Sequence, residues 1–226
     1  MTLSGSGAGT RDLAAMEDAV LGAIDADEVV AFHRGLVRIP SVNPPGDCRE
    51  AIAVVEEALR TAGYATRIVG NDEAKPNVIA SLGVEEGPTL CVNAHVDVVP
   101  IGEREAWSHE PFGAEVEDGR IYGRGAGDDK ASVAAQVMAA IALRRSGVPL
   151  RGQLVVSEVS DEETAGVAGS AFIVDAGLVR PDWVIVGEQT RNRVCVGEKG
   201  AAPTTIVVHG RTAHGALPWE GANAIE

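Results

Sequence analysis

Apolar positions recur along this chain in two spacings, and the switches between them mark out its elements. From Ala26 to Val37 the stripe Val29, Val30, Phe32, Leu36 and Val37 has helical spacing. Arg49 to Thr61 repeats it through Ile52, Val55, Ala58 and Leu59, and Gly63 supplies a stop. Residues 12–20 are Ala-rich and predict a further helix after a loose tail over residues 1–12. Between these helices Ile39-Pro40-Ser41-Val42-Asn43-Pro44-Pro45-Gly46 must be a loop, because three prolines and a glycine forbid helix or central strand. Short apolar runs at 65–69, 77–82 and 89–95 predict strands. An Asp118-Gly119 pair inside alternating polarity predicts a hairpin.

Three alternate glycines, Gly123, Gly125 and Gly127, lead into Asp128-Asp129-Lys130 and a strongly helical stretch over 131–145. That spacing fits neither GxGxxG nor GxxxxGK, so no phosphate cradle is expected. Residues 153–159 predict a buried strand that runs into Ser160-Asp161-Glu162-Glu163, followed by a helix of about ten residues. Residues 183–187 predict another buried strand, ending at Glu188. Strand, polar end and helix therefore repeat, which is the pattern of an α/β fold with functional groups outside the carboxyl ends of its strands. Residues 194–196 and 204–208 predict strands on either side of Glu198-Lys199-Gly200, and residues 222–226 predict the first turn of a helix.

With 226 residues, 45% hydrophobic and 23% charged, the composition is that of a globular protein rather than a disordered one. The net charge of -14 argues against nucleic acid or an anionic membrane as partner. Cys48, Cys91 and Cys195 are widely spaced and predict neither a disulfide framework nor a cysteine zinc site; Cys91 and Cys195 are expected in the core. No signal peptide or spanning segment is read from the sequence, so a cytoplasmic location is expected.

The polar strand ends carry the chemistry. His95 and Asp97 are two residues apart, so in an extended chain both point to one face. An imidazole there can bind a metal while the carboxylate fixes its tautomer. Asp128, Glu162, Glu163 and Glu188 end or follow other elements in the same way. One imidazole with several carboxylates suits a divalent ion at an open site, and without a cation such anions repel strongly. The alternative is a surface acidic patch in which each carboxylate caps a neighbouring helix.

The ordered segments His95-Val-Asp97-Val-Val-Pro, Gly123-Arg-Gly-Ala-Gly-Asp128-Asp-Lys130, Ser160-Asp-Glu162-Glu163 and Gly187-Glu188 resemble the signatures of the M20 metallopeptidase family. The resemblance covers roughly residues 30–226. It implies a mixed, mostly parallel sheet flanked by helices, as in zinc-peptidase catalytic domains, over residues 1–200, and the start of an α+β lid and dimerisation domain over 201–226. It implies two Zn2+ ions, replaceable by Co2+ or Mn2+, and hydrolysis of an amide bond in an N-acyl amino acid or small peptide. His95 and Glu188 would bind the first ion, Asp128 would bridge both through a peptide bond to Asp129 that is often cis, and Glu163 would bind the second. Asp97 would orient His95, Glu162 would be the general base, and His214 would be an oxyanion donor reaching a partner subunit's site in a homodimer. The family's Gly-Gly after the lysine is Ala131-Ser132 here.

The second ion's distal histidine and the substrate-carboxylate arginine have no match, so the chain is expected to be the N-terminal portion of a longer enzyme, inactive by itself and poorly soluble. The competing reading is an inactive relic or binding protein that keeps the fold. One weak metal site is the expected outcome of a calorimetric titration of the chain, with variants at His95 and Glu163 to locate it; two tight, equal sites contradict it.

Overall fold

A computed structural model of the chain describes residues 7–197, 199–200 and 204–225. Residues 1–6 of the predicted tail, the position of Glu198 and the 200/201 domain boundary lie outside or at the edge of these residues. The chain divides into two compact units, Met1–Gln189 and Thr190–Glu226.

Among the described residues, the first unit holds five helices: α1 (Gly7–Gly22), α2 (Ala26–Val37), α3 (Arg49–Thr61), α4 (Lys130–Ser146) and α5 (Ser170–Asp175). Asp25 caps α2 by accepting from the amides of Asp27 and Glu28, at 2.9 and 3.1 Å. Its main sheet orders β1 (Ala65–Val69), β2 (Asn77–Gly83), β6 (Gln153–Val159), β3 (Thr89–His95) and β7 (Trp183–Val186) as β1-β2-β6-β3-β7. β3, β6 and β7 are parallel neighbours, and β2 runs against both β6 and β1, so four of the five strands share a direction. A hairpin of β4 (Glu115–Glu117) and β5 (Arg120–Tyr122) stands apart from the sheet.

Register decides where the polar ends fall. His95 sits opposite Val159, and Asn93 sits opposite both Ser157 and Val186. The residues just past β3, β6 and β7 therefore emerge along one edge of the sheet. Beneath them, α2, α3 and α4 close over one sheet face with Leu36, Ile52, Val55, Leu59, Val133 and Val137 against Val78, Val96 and Val156. Each such side chain contributes about 1.5–3 kcal/mol by leaving water. A smaller cluster on the opposite face joins Ile79, Cys91, Val155 and Val159 to Ile173 of α5.

Several expectations change. The first helix begins at Gly7 rather than Asp12. α5 has 6 residues, because Ala165 and Gly166 turn at positive φ and Gly169 packs against the Ser160 carbonyl so closely that a Cβ would meet it at 2.1 Å. β7 is exposed, since among the described residues it pairs only with β3 and forms an edge. In the second unit, residues 194–196 and 204–208 form no strands. Cys195 is exposed with them. Ala222 bridges to Arg211 instead of starting a helix.

Glu158 of β6 is fully buried on the helix-covered face. Neither carboxyl oxygen has a hydrogen-bond partner of good geometry, although the Ala94 amide faces it. Burial drives its pKa well up, and the nearby Asp129 adds to this. The folded chain then holds a proton that the unfolded chain releases above the usual glutamate pKa, so stability falls as pH rises from there. Glu158→Gln is expected to leave stability near pH 4.5 little changed and to become the more stable form above it, by up to about 1.4 kcal/mol per pH unit. Denaturant titrations at several pH values read this; a difference that does not vary with pH contradicts it.

Candidate metal centre

β3 ends at His95, and the chain past it stays pinned. The Val96 amide donates to the Val159 carbonyl at 2.9 Å, the Val98 amide to Ser41 at 3.0 Å, and the Asn43 amide to Val98 at 2.8 Å. The His95 ring is 2% exposed. Its Nδ1 lies 3.0 Å from the Asp97 carbonyl and 3.3 Å from Asp97 Oδ1. Both are acceptors, so Nδ1 keeps its proton and Nε2 is the nitrogen that can give up its own to a cation. Nε2 faces Asp128 Oδ1 at 3.2 Å, Glu162 Oε2 at 3.8 Å and Glu188 Oε1 at 4.0 Å, yet it has no hydrogen-bond partner.

A buried, orphaned nitrogen aimed at carboxylates fits a divalent cation. The ligand atoms of His95, Asp128 and Glu188 lie within 4.8 Å of one another; a tetrahedral zinc with bonds near 2.0 Å needs them about 3.3 Å apart. The Asp128 and Glu188 side chains are 51% and 41% exposed, which leaves the cation side open. The Asp128–Asp129 peptide is cis. Among the described residues this is the one such three-ligand cluster. Glu163 is outside it, and its Oε1 accepts the Val99 amide at 3.2 Å.

Asp97 is the hub behind the site. Besides His95, its carboxylate accepts the amides of Glu162 and Glu163 at 3.2 and 3.1 Å and the Asn43 side chain at 2.8 Å. The sequence reading missed Asn43, Asp161, Lys75 and Asp129. Asp129 is fully buried and its Oδ2 accepts the His95 amide at 3.3 Å. A polar Ser41 and Asn43 between prolines were the available signal. His214 belongs to the second unit, where it is exposed in a turn and its Nδ1 accepts the Ala216 amide at 3.2 Å.

The charges respond to the crowding. Burial alone would lower His95, but Asp97 and the other acids outweigh it and lift the ring to about 10. Burial would raise Asp97, but His95 and Asn43 hold it down. Glu163 and Glu188 are raised, first by burial and then by neighbouring carboxylates, Asp128 among them. Burial lifts Asp129 to about 7.

The chain is similar to known proteins over these residues. Residues 91–218 match the model of Peptidase family M20/M25/M40. The chain is 35% identical over 205 residues to succinyl-diaminopimelate desuccinylase of Rhodospirillum centenum, covering 85% of this chain and 52% of that protein. It is 37% identical over 204 residues to the enzyme of the same name from a Caulobacter species, covering 87% and 51%. Among solved structures, an M20 family metallo-carboxypeptidase from Sulfolobus solfataricus superposes with a TM-score of 0.62 at 25% identity over 70% of this chain and 37% of its own. Human carnosine dipeptidase 1 does so with 0.62 at 26% over 76% and 40%. The chain spans about half the length of the curated relatives it matches.

Because the metal-free ring holds its proton up to about pH 10, a cation at Nε2 must displace it. Zinc titration at pH 7.5 in buffers of different ionisation enthalpy is expected to show about one proton released per ion, with affinity weakening as pH falls. Binding without proton release contradicts this placement.

Proposed function

We propose that this chain, which belongs to peptidase family M20/M25/M40, is the metal-binding part of a hydrolase that cuts an amide bond in an N-acyl amino acid or small peptide. One observation carries the reading: the buried His95 Nε2, without a hydrogen-bond partner, faces three carboxylates. A divalent cation, zinc with cobalt or manganese as substitutes, would polarise the scissile carbonyl and acidify the attacking water.

The chain's own residues divide the remaining work. His95, Asp128 and Glu188 hold the cation, and Asp97 keeps the His95 proton on Nδ1. Glu162, half exposed and 3.8 Å from Nε2, takes the water's proton and returns it to the leaving amine. Glu163 and Asp128 would hold a second ion, with one Glu163 oxygen kept by the Val99 amide. His214 supplies the oxyanion donor from a lid that begins near residue 201 and pairs two subunits. The desuccinylases among the relatives favour an N-succinyl amino acid as substrate over a dipeptide. Among the described residues, no helix is long and apolar enough to cross a membrane, and a cytoplasmic setting is part of the proposal.

A second reading, a metal-binding protein without turnover, draws support from the single three-ligand cluster among the described residues. Amine release from N-succinyl and N-acetyl amino acids, measured with zinc on a protein of the relatives' length, separates the two. Glu162→Gln is expected to lower turnover by about 10²–10⁴-fold with zinc content unchanged. Undiminished turnover in that variant contradicts the assignment, and no turnover in the parent favours the second reading.

A further inference from the structure

The two acidic residues assigned to chemistry, Glu162 and Glu163, sit in a short 3-10 turn, Glu162–Thr164, that follows β6. Such a turn has little stiffness of its own. What holds it comes from two distant segments. Asn43, 1% exposed in the proline loop, donates through its side-chain nitrogen to Asp97 Oδ2 at 2.8 Å, to Asp161 Oδ1 at 3.2 Å and to Thr164 Oγ1 at 3.0 Å. Lys75, from the loop before β2, forms an ion pair with Asp161 Oδ1, with the two side chains 16% and 6% exposed. The other Asp161 oxygen accepts the Ala168 amide at 2.9 Å, closing the far end of the turn. Thr164 also donates its hydroxyl to Asp161.

The loop is shaped around these contacts. Gly46 has φ +88°, and a Cβ there would meet Lys75 Cε at 2.5 Å and Asn43 Oδ1 at 2.8 Å. That conformation and that proximity both require glycine. The proline loop thus brings one amide side chain between Asp97, which orients His95, and Asp161, which heads the acidic turn. Asp97 in turn accepts the Glu162 and Glu163 amides.

We propose that Asn43 and Lys75 are positioning residues that clamp the Glu162–Thr164 turn to Asp97 through Asp161, fixing where the Glu162 and Glu163 carboxylates stand relative to His95. The catalytic consequence rests on the metal-centre reading; the clamp itself does not. Asn43 acts through hydrogen bonds to two carboxylates and Lys75 through a shielded ion pair, so each is stronger than a surface contact.

The test is amide hydrogen exchange and proton chemical shift by NMR on the 15N-labelled chain, with zinc binding measured in parallel. Asn43→Ala and Lys75→Met are expected to speed exchange of the Glu162, Glu163 and Ala168 amides by roughly 10–100-fold and to shift their resonances, while Cys91 and Val155 in the sheet stay protected. Lys75→Arg is expected to restore most of the protection, and Gly46→Ala to reproduce the loss. Unchanged exchange at residues 162–168 in both Asn43→Ala and Lys75→Met overturns the proposal. So does a uniform rise across the sheet, which would mark these residues as general stabilisers. Zinc binding that survives His95→Ala overturns the metal reading and leaves the clamp standing.

Discussion

Negative charge gathered around one buried imidazole is the constraint on which the rest depends. Asp97 holds the ring from behind, while Asp128, Glu162 and Glu188 stand 3.2–4.0 Å in front of it. Acids this close destabilise one another, and two responses are open: bind a proton or bind a cation. Burial first, and the neighbouring acids after it, push Glu163 and Glu188 toward the first response, and the acids push His95 the same way. A divalent ion achieves the second with better geometry, since it takes the Nε2 lone pair and the facing carboxylates together. On the proposed reading, the acidity of the site is a stored affinity for that ion.

The fold makes this crowding possible by putting it where strands stop. β3, β6 and β7 run in parallel with their carboxyl ends at one edge, so each delivers a polar terminus without breaking a hydrogen-bonded ladder. α4 supplies Asp128 and Asp129 from its own start, and its apolar face is buried against the sheet beneath. Asp97 then joins the pieces, because its two oxygens accept from His95, Asn43, Glu162 and Glu163 at once. Removing that one carboxylate would take the acceptor from the Glu162 and Glu163 amides, which hold the acidic turn.

Much of this was legible in the sequence. Helical spacing placed α2 and α3, with the proline loop bounding the end of α2 and Gly63 supplying the stop for α3. The spacing of His95 and Asp97, and the order of the acidic motifs, led to His95, Asp128 and Glu188, which the fold brings together, and to Glu163, which lies outside that group. Tertiary pairing was not legible. Residues 183–187 read as a buried strand by composition, yet burial depends on a neighbour that local pattern cannot report. Residues 194–196 and 204–208 read as strands for the same reason. Asn43 was overlooked because a polar residue between prolines looks like ordinary loop chemistry, and its partners lie 54 and 118 positions away. Glu158 was hidden inside an apolar run, where sequence gives no sign that its carboxyl goes unpaired.

The most direct measurement is anomalous diffraction at the zinc edge from crystals of the chain grown with zinc. The account predicts a peak about 2.0–2.2 Å from His95 Nε2 and from one oxygen each of Asp128 and Glu188. A peak confined to surface acids, with His95 Nε2 bonded to some other group, would contradict it.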